Sequence, residues 1–387
     1  MKLKEIREIL ELQRGYDLPV DEMAGGSIPV VGSNGIVGYH NKKRSISPTI
    51  TIGRSGTIGK IHYYEGDTWV HNTALYVRNF KGNHPLYLYY LLKNLNFDNL
   101  KSSSVVPSLN RNYVYPMKVY FVSDLKEQEN LANILQYIDK KITLNININT
   151  ELEKMAKQLY DYWFVQFDFP DENGKPYKSS GGKMVYNSTL KREIPEGWKV
   201  SKYGKEFKVK LGGTPSTSEE TFWDNGTINW LNSGEVQNFP VNETEKKITE
   251  LAIKSSSTEY LPKGSVLISI TRYLRVTLLN IDACINQSVV GFAETEQYKY
   301  PYTYFALSAE VPRLMALRSG AQQPHINKEA VEESPIIIPP NEILEDYYEG
   351  STPIFELLLR KSEEMQELSH LRDSLLPMLM NGQVTIK

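Results

Sequence analysis

Residues 124–164 read DLKEQENLANILQYIDKKITLNININTELEKMAKQLYDYWF. Apolar side chains recur at Ile134, Leu135, Ile138, Ile142, Ile146, Leu152, Met155, Leu159 and Trp163. The steps are mostly three, four or seven, the spacing that lines one face of a helix. Asp124 is placed to accept the free amides of the first turn, with Glu127 three residues on. One helix over 124–164 would be roughly 60 Å long. Its weak point is Asn145-Ile146-Asn147-Ile148-Asn149, because Asn and Ile form helix poorly and a buried Asn in a coiled coil sets register at a cost in stability. A second pattern opens with Thr352 as cap and Pro353 at the first helical position, and continues through Leu357, Leu358, Met365, Leu368, Leu371, Leu375 and Leu379 to a stop near Gly382. Two helices so long and one-sided most simply pack on each other as a coiled coil.

Working outward, residues 46–63 and 264–293 hold short β-branched and apolar runs broken by Gly and Ser. Residues 168–192 are rich in Gly, Lys, Ser and Pro and read as a linker. The order is β-rich block, long helix, linker, β-rich block, long helix, which is an internal repeat. A shift of 217 lays Pro107 on Pro324 and Asn110 on Asn327, and a shift of 216 lays Ile138 on Ile354, Leu152 on Leu368 and Leu159 on Leu375. The expected fold is α+β: two β-rich domains joined by two long antiparallel helices in an intramolecular coiled coil, a pseudo-two-fold repeat. The expected boundaries are 1–123 and 193–340 for the two domains, 124–167 for the central helical spacer, 168–192 for the linker and 341–387 for the C-terminal helical spacer.

The chain has 387 residues with 40% hydrophobic and 23% charged, suiting two or three globular domains. Net charge is −2; the first 124 residues are basic and the last 47 acidic, so any phosphate-binding surface has to be local. No apolar run is long enough to span a membrane, and the N-terminal residues lack the apolar core of a signal peptide. One cysteine, Cys284, leaves no intramolecular disulfide and no Cys-rich zinc site, which fits a reducing, cytoplasmic setting. Phosphate-loop, dinucleotide, zinc-protease and nucleophile-elbow motifs are all missing. The six histidines are scattered.

The most informative stretch is 159–170, LYDYWFVQFDFP, followed by 174–178, GKPYK, and 194–200, IPEGWKV. It resembles the central region of the specificity (S) subunit of type I restriction-modification systems. LGGTPST at 211–217, Trp223, INWL at 228–231, KIT at 247–249 and NQS at 286–288 look like that family's target recognition domain. QQPHINK at 322–328 and IIPP at 337–340 look like its exit into a helix, and IPVVGSNG at 28–35 with TIGRSGTIGK at 51–60 look like the same domain in the first half. The resemblance covers essentially the whole chain. One departure is ITRYLRV at 270–276, where a glycine-containing turn like that at 53–59 is expected.

The resemblance implies a non-catalytic subunit that reads a bipartite DNA target and directs partner adenine methyltransferases to it. It implies no cofactor in this chain, with S-adenosylmethionine carried by the partner. It implies double-stranded DNA and two modification subunits as partners, with restriction subunits as a further partner the family allows. The rival reading is a β-rich carbohydrate- or peptide-binding protein with a coiled-coil stalk. The DNA-contact residues expected in the first half are Lys42, Lys43 and Arg44, Arg54 and Ser55 in the Gly-rich turn, and Asn110 with Arg111. In the second half they are Thr214, Ser216 and Thr217, then Arg272, Tyr273 and Arg275, and Gln322, Gln323, His325 and Lys328. Arg54, Arg272 and Arg275 suit guanine, whose O6 and N7 a guanidinium binds together, and the Gln pair suits adenine. Tyr160, Trp163, Phe164, Leu376 and Met380, at the ends and flanks of the helices, are expected to receive the modification subunits.

Overall fold

The computed structural model describes residues 1–23, 25–97, 108–318 and 325–384. Two compact units are present: Met1–Thr143 with Glu367–Lys387, and Leu144–Gln366.

The first unit holds a four-stranded antiparallel sheet in the order Glu11–Arg14, Ala74–Asn79, Thr49–Gly53, Ile61–Tyr64. Beside it Ile28–Gly32 pairs antiparallel with Gly35–His40 and parallel with Trp69–Val70. A two-stranded ladder joins Lys2–Glu5 to Lys118–Phe121. Every residue of Thr49–Gly53 is buried, as suits a strand inside a sheet covered on both faces. Its Ile50 and Ile52, with Leu75 and Val77, share one core with Leu88, Leu91 and Leu92 of helix Pro85–Lys93. Leu131 and Leu135 of the first long helix and Leu376, Leu379 and Met380 of the second belong to the same core.

The second unit repeats that topology with one strand added, Glu259–Leu261, antiparallel to Ala283–Ile285. Its four-stranded sheet runs Lys210–Leu211, Val289–Phe292, Val266–Ser269, Val276–Leu278. Ile228–Leu231 again pairs antiparallel with one strand, Lys246–Ile248, and parallel with another, Ala283–Ile285. Lys199–Lys202 with Pro335–Ile338 mirrors the small ladder. The correspondence reaches single hydrogen bonds. Leu109 N donates to Arg54 O at 2.8 Å, and Ile326 N to Ile270 O at 3.0 Å. Asn110 caps helix Arg111–Val114 through its side chain, as Asn327 caps Lys328–Glu332; the shift of 217 had paired these two. Gly15 and Gly212 also correspond: an added Cβ would lie 2.1 Å from His71 O in one and 1.9 Å from Ile285 O in the other. Only glycine fits a backbone approach so close.

The first long helix is Leu125–Tyr160, continued by a wider π turn over Asp161–Val165. Asp124 Oδ1 accepts from Glu127 N at 2.8 Å, the expected cap. The second long helix is Asn341–Met380, not a helix opening at Thr352. Leu344, Tyr347 and Tyr348 already follow helical spacing and are buried, so the apolar face begins a full three turns earlier. Pro353 therefore lies inside the helix rather than at its first position, on the solvent side where a bend is tolerated. In the first unit Arg372 meets Asp139 at 3.1 Å; in the second Asn149 Nδ2 donates to Leu358 O at 3.2 Å. Within each unit the two helices thus pack antiparallel. The helix face differs from expectation in one place. Ile146 and Met155 are about half exposed, whereas Asn145 is fully buried and its amide has no hydrogen-bond partner among the described residues. The inward stripe runs from buried Asn145 through partly buried Asn149 and Leu152 to buried Ala156 and Tyr160 in steps of three and four, which puts Ile146 and Met155 on the outer side.

The stretch 168–192 is more than a tether. Phe169 is buried, stacked on Tyr177 at 4.8 Å and on Trp198 at 5.1 Å. Met184–Asn187 pairs with Arg192–Pro195 as a hairpin.

Candidate nucleic-acid interface

In the first unit the strand carrying Arg54 ends beside three other basic positions. A polar cleft of about 730 Å³ is lined by Gln13, Arg14, Tyr16, Asp17, Arg54, Arg78, Asn110, Arg111 and Asn112. The fold thus brings together Arg54, Asn110 and Arg111, which the sequence marked, with Arg14 and Arg78, which it did not. A signal for Arg14 existed: it immediately precedes Gly15, the counterpart of Gly212 in the LGGTPST motif. Arg78 carried none, being one residue in a strand that ends Val77-Arg78-Asn79. Each guanidinium is steadied by a neighbour. Arg54 Nη1 donates to Asn72 O at 3.4 Å and Arg111 Nη1 to Leu12 O at 3.1 Å. Arg14 pairs with Asp17 at 3.3 Å and Arg78 with Glu11 at 3.8 Å. Ser55 is held at the rim by its backbone bond to Thr73 O at 3.2 Å.

The basic run at 42–44 is not part of the lining. Lys42 is exposed, and Lys43 is paired with Asp67 at 3.0 Å. Asp67 accepts from Ser47 and Lys43, which together hold its carboxyl below the usual carboxylate range. Arg44 lies over the rings of Tyr16 and Trp69, 5.0 and 5.2 Å from their centroids. Its charge is therefore stacked on aromatic faces, and Tyr16 carries it to the edge of the cleft.

In the second unit the marked residues fall on two loops. Arg272, Tyr273 and Arg275 form the turn between Val266–Ser269 and Val276–Leu278. All three are exposed, Tyr273 by 70%. The missing glycine is answered by Arg272 itself, whose φ of 58° is left-handed. At the corresponding place in the first unit Gly56 has φ 76°. The turn is braced from below: Ser269 Oγ donates to Tyr273 O at 2.8 Å and accepts from Arg275 N at 3.0 Å, while Arg318 Nη1 donates to Arg272 O at 2.8 Å. Thr271 bridges His325, as Ser55 bridges Ser108 in the first unit, so exposed His325 sits beside this turn.

Thr214, Ser216 and Thr217 make the second loop. Thr214 bonds Gln287, Ser216 Oγ lies 2.9 Å from Ser218 Oγ, and Thr217 is exposed. Lys328 pairs with Glu332 at 3.0 Å. Gln322 and Gln323, with Pro107 and Pro324, lie outside the described residues. Asn286 is buried and its Oδ1 accepts from Ser288 N, so it shapes backbone.

The helix-end aromatics face inward. Tyr160 and Trp163 are 8% exposed and Phe164 is 1% exposed. Phe164 packs edge-on against Tyr302 and Tyr347, each at 4.9 Å between ring centroids. Burial pushes the Tyr160 phenol well above its ordinary value. Leu376 and Met380 are likewise buried, in the first unit's core. Among the described residues no His, Cys, Asp or Glu cluster could hold a metal ion, and no helix is long and apolar enough to cross a membrane.

A β domain with polar loops is thus built twice, each copy sharing its core with both long helices. The family model for the type I restriction modification DNA specificity domain matches residues 1–154 and again 195–352, and the chain belongs to that family. Relatives include the type I restriction enzyme MjaIX specificity subunit of Methanocaldococcus jannaschii, 26% identical over 310 residues, which are 78% of this chain and 69% of that one. The HindI specificity subunit of Haemophilus influenzae is 22% identical over 314 residues, 68% of each chain. Among solved structures, the S subunit of a type I restriction-modification system from M. genitalium shares the fold, with a TM-score of 0.63 at 15% identity, covering 98% of this chain and 96% of that one.

Proposed function

We propose that this chain is the non-catalytic DNA-reading subunit of a type I restriction-modification complex, bringing partner adenine methyltransferase subunits to a bipartite target. One observation carries the reading: the recognition-type domain is built twice in one chain, down to matching single hydrogen bonds, and its loops differ where a reader has to differ. Residues 1–123 and 193–340 serve as the two readers, with the long helices (124–167 and 341–387) as spacer and 168–192 as the connection. The contact set is the one marked above, with Arg272 and Arg275 serving base readout through bidentate guanidinium bonds and lysines serving phosphates. Two modification subunits dock on the helices, and restriction subunits can join them. Tyr160, Trp163 and Phe164 support that docking from beneath, fixing the exposed neighbours Met155, Tyr162 and Val165 that a partner would touch, and Leu376 and Met380 give the same support within the first unit. The chemistry, including base flipping and S-adenosylmethionine, belongs to the partner.

The test is co-expression with the methyltransferase subunit encoded for the same system, followed by methylation mapping. The expected result is adenine methylation at one split sequence, absent when either protein is left out. Methyl transfer or cleavage by the homogeneous chain alone would reject the assignment.

A further inference from the structure

We propose, resting on the DNA-reading assignment, that the two recognition domains, each still reading its own half-site, hold DNA with unlike devices: the first adds a grip on the phosphate ridge in its arginine cleft, and the second presents an exposed hairpin tip to a groove. The shared ladder lets the domains be compared position by position. Arg54 and Ile270 occupy one place, since Leu109 N and Ile326 N donate to their carbonyls. Arg14 pairs with Leu75 as Leu211 pairs with Val290, and those partners face Ile52 and Ile268. Three residues beyond Leu75 comes Arg78; three beyond Val290 comes Ala293. Arg111 follows the capping Asn110, and Lys328 follows the capping Asn327. Three of the four arginines are therefore apolar in the second domain, and Ile270 is 6% exposed.

Shape assigns the ligand. A concave surface cannot enter a major groove about 12 Å wide, but it can straddle a phosphate ridge. Guanidinium forks from four chain segments line the cleft and match phosphate oxygens, and the carbonyls and carboxylates beside them, Asp17 in the lining among them, hold the forks without using every donor. The second domain inverts the arrangement. Its turn projects Arg272, Tyr273 and Arg275, and three hydrogen bonds from Ser269 and Arg318 fix the backbone that carries them. A rigid convex tip with two arginines and a phenol is suited to base edges. Arg54 accordingly moves from base readout to backbone grip.

The experiment uses the full chain and two fluorescent duplexes of equal length, one carrying the site found by methylation mapping and one scrambled. Affinity is followed by anisotropy as salt is raised. In the double variant Arg14→Gln, Arg78→Gln, the slope of log affinity against log salt should fall by about two, and both duplexes should weaken roughly tenfold and to the same extent. Arg14→Lys with Arg78→Lys should keep most of the slope, because a point charge still neutralises phosphate. Arg275→Gln or Tyr273→Ala should weaken the target duplex and spare the scrambled one. An unchanged slope in the Gln variant, or a loss confined to the target duplex, overturns the proposal; the single variant Arg14→Gln, with half the slope change, decides the matter if the double variant unfolds. Failure of the wild-type chain to bind either duplex would be a different result, removing the DNA-reading assignment itself.

Discussion

The central strand of the first recognition domain stops at Gly53 and is followed by Arg54, and the same strand of the second stops at Ser269 and is followed by Ile270. From that one step the two diverge. Arg54 faces open space that three more arginines share, and the following turn takes its left-handed residues from Gly56 and Gly59. Ile270 is buried, the space around it is filled, and the turn beyond uses Arg272 in a left-handed conformation that an L side chain rarely adopts. Such a residue costs on the order of 1 kcal/mol or more and persists where the surroundings hold it. The ladder is thus common property, while the clustered arginines of the first domain give way to an exposed turn carrying Arg272 and Arg275 in the second. Their cores differ too: the first is largely aliphatic, while the second gathers Tyr160, Trp163, Phe164, Trp198, Tyr302 and Tyr347 into one aromatic cluster.

The largest expected effect tests that difference in cores. Phe164→Ala removes a ring packed on Tyr302, Tyr347 and Trp198 and should cost about 3–5 kcal/mol. Hydrogen exchange should rise in Val266–Ser269 and stay unchanged in Thr49–Gly53. Equal loosening of both strands would show that the two units do not unfold separately. If instead the variant were stable and only failed to assemble with its partner, Phe164 would be a docking residue after all.

Next in size is the hairpin. Arg275→Ala should cost about 1–3 kcal/mol of discrimination at one half-site and leave the other untouched. Methylome sequencing reads this directly, and a change in both half-sites would contradict the division of labour. Arg272→Gly separates strain from function. Glycine adopts positive φ without penalty, so the melting temperature should hold or rise, by up to about 1 kcal/mol in stability, while half-site discrimination falls. Loss of stability with discrimination retained would mean that Arg272 serves the fold rather than the DNA.

How much of this was readable beforehand follows from what kind of signal each feature leaves. The first helix declared itself, because a stripe and a capping aspartate are local. Its companion starts eleven residues before Thr352: Pro353 imitates a helix start, and only the burial of Leu344, Tyr347 and Tyr348 shows that the helix is already under way. Ile146 looked like core and Asn145 like a flaw, yet a one-residue rotation of the buried stripe reverses their roles. That rotation is set by packing across the helix pair, which periodicity does not see. The same holds for the site. Arg272 and Arg275 stood out because they replaced a glycine turn. Arg14 and Arg78 did not, because what makes them a site is that three strands and a short helix bring four separated arginines to one cleft.

The last expected effect concerns how each domain is fastened to the first long helix. In the first unit the Tyr90 hydroxyl donates to Asp139 Oδ2 at 2.7 Å, and Asp139 Oδ1 takes Arg372 at 3.1 Å. Three elements, helix Pro85–Lys93 and both long helices, meet at one carboxylate. In the second unit the Tyr304 hydroxyl donates to Glu153 Oε1 at 3.0 Å. Burial and the neighbouring carboxylate push both phenols above their ordinary range. Removing a hydrogen bond to a charged acceptor costs about 1.5–3 kcal/mol when that acceptor cannot turn to water. Asp139 is held in place by Arg372, so Tyr90→Phe should cost near the lower end of that range. Glu153 has a longer, more mobile side chain, so Tyr304→Phe should cost less, about 1 kcal/mol or under. A double-mutant cycle between Tyr90→Phe and Arg372→Gln should show coupling above about 0.5 kcal/mol, since both partners act on one carboxylate. Additive effects at Tyr90 and Arg372, or a Tyr304→Phe cost equal to that of Tyr90→Phe, would mean that the domains are fastened alike and that their differences are confined to the DNA-facing side.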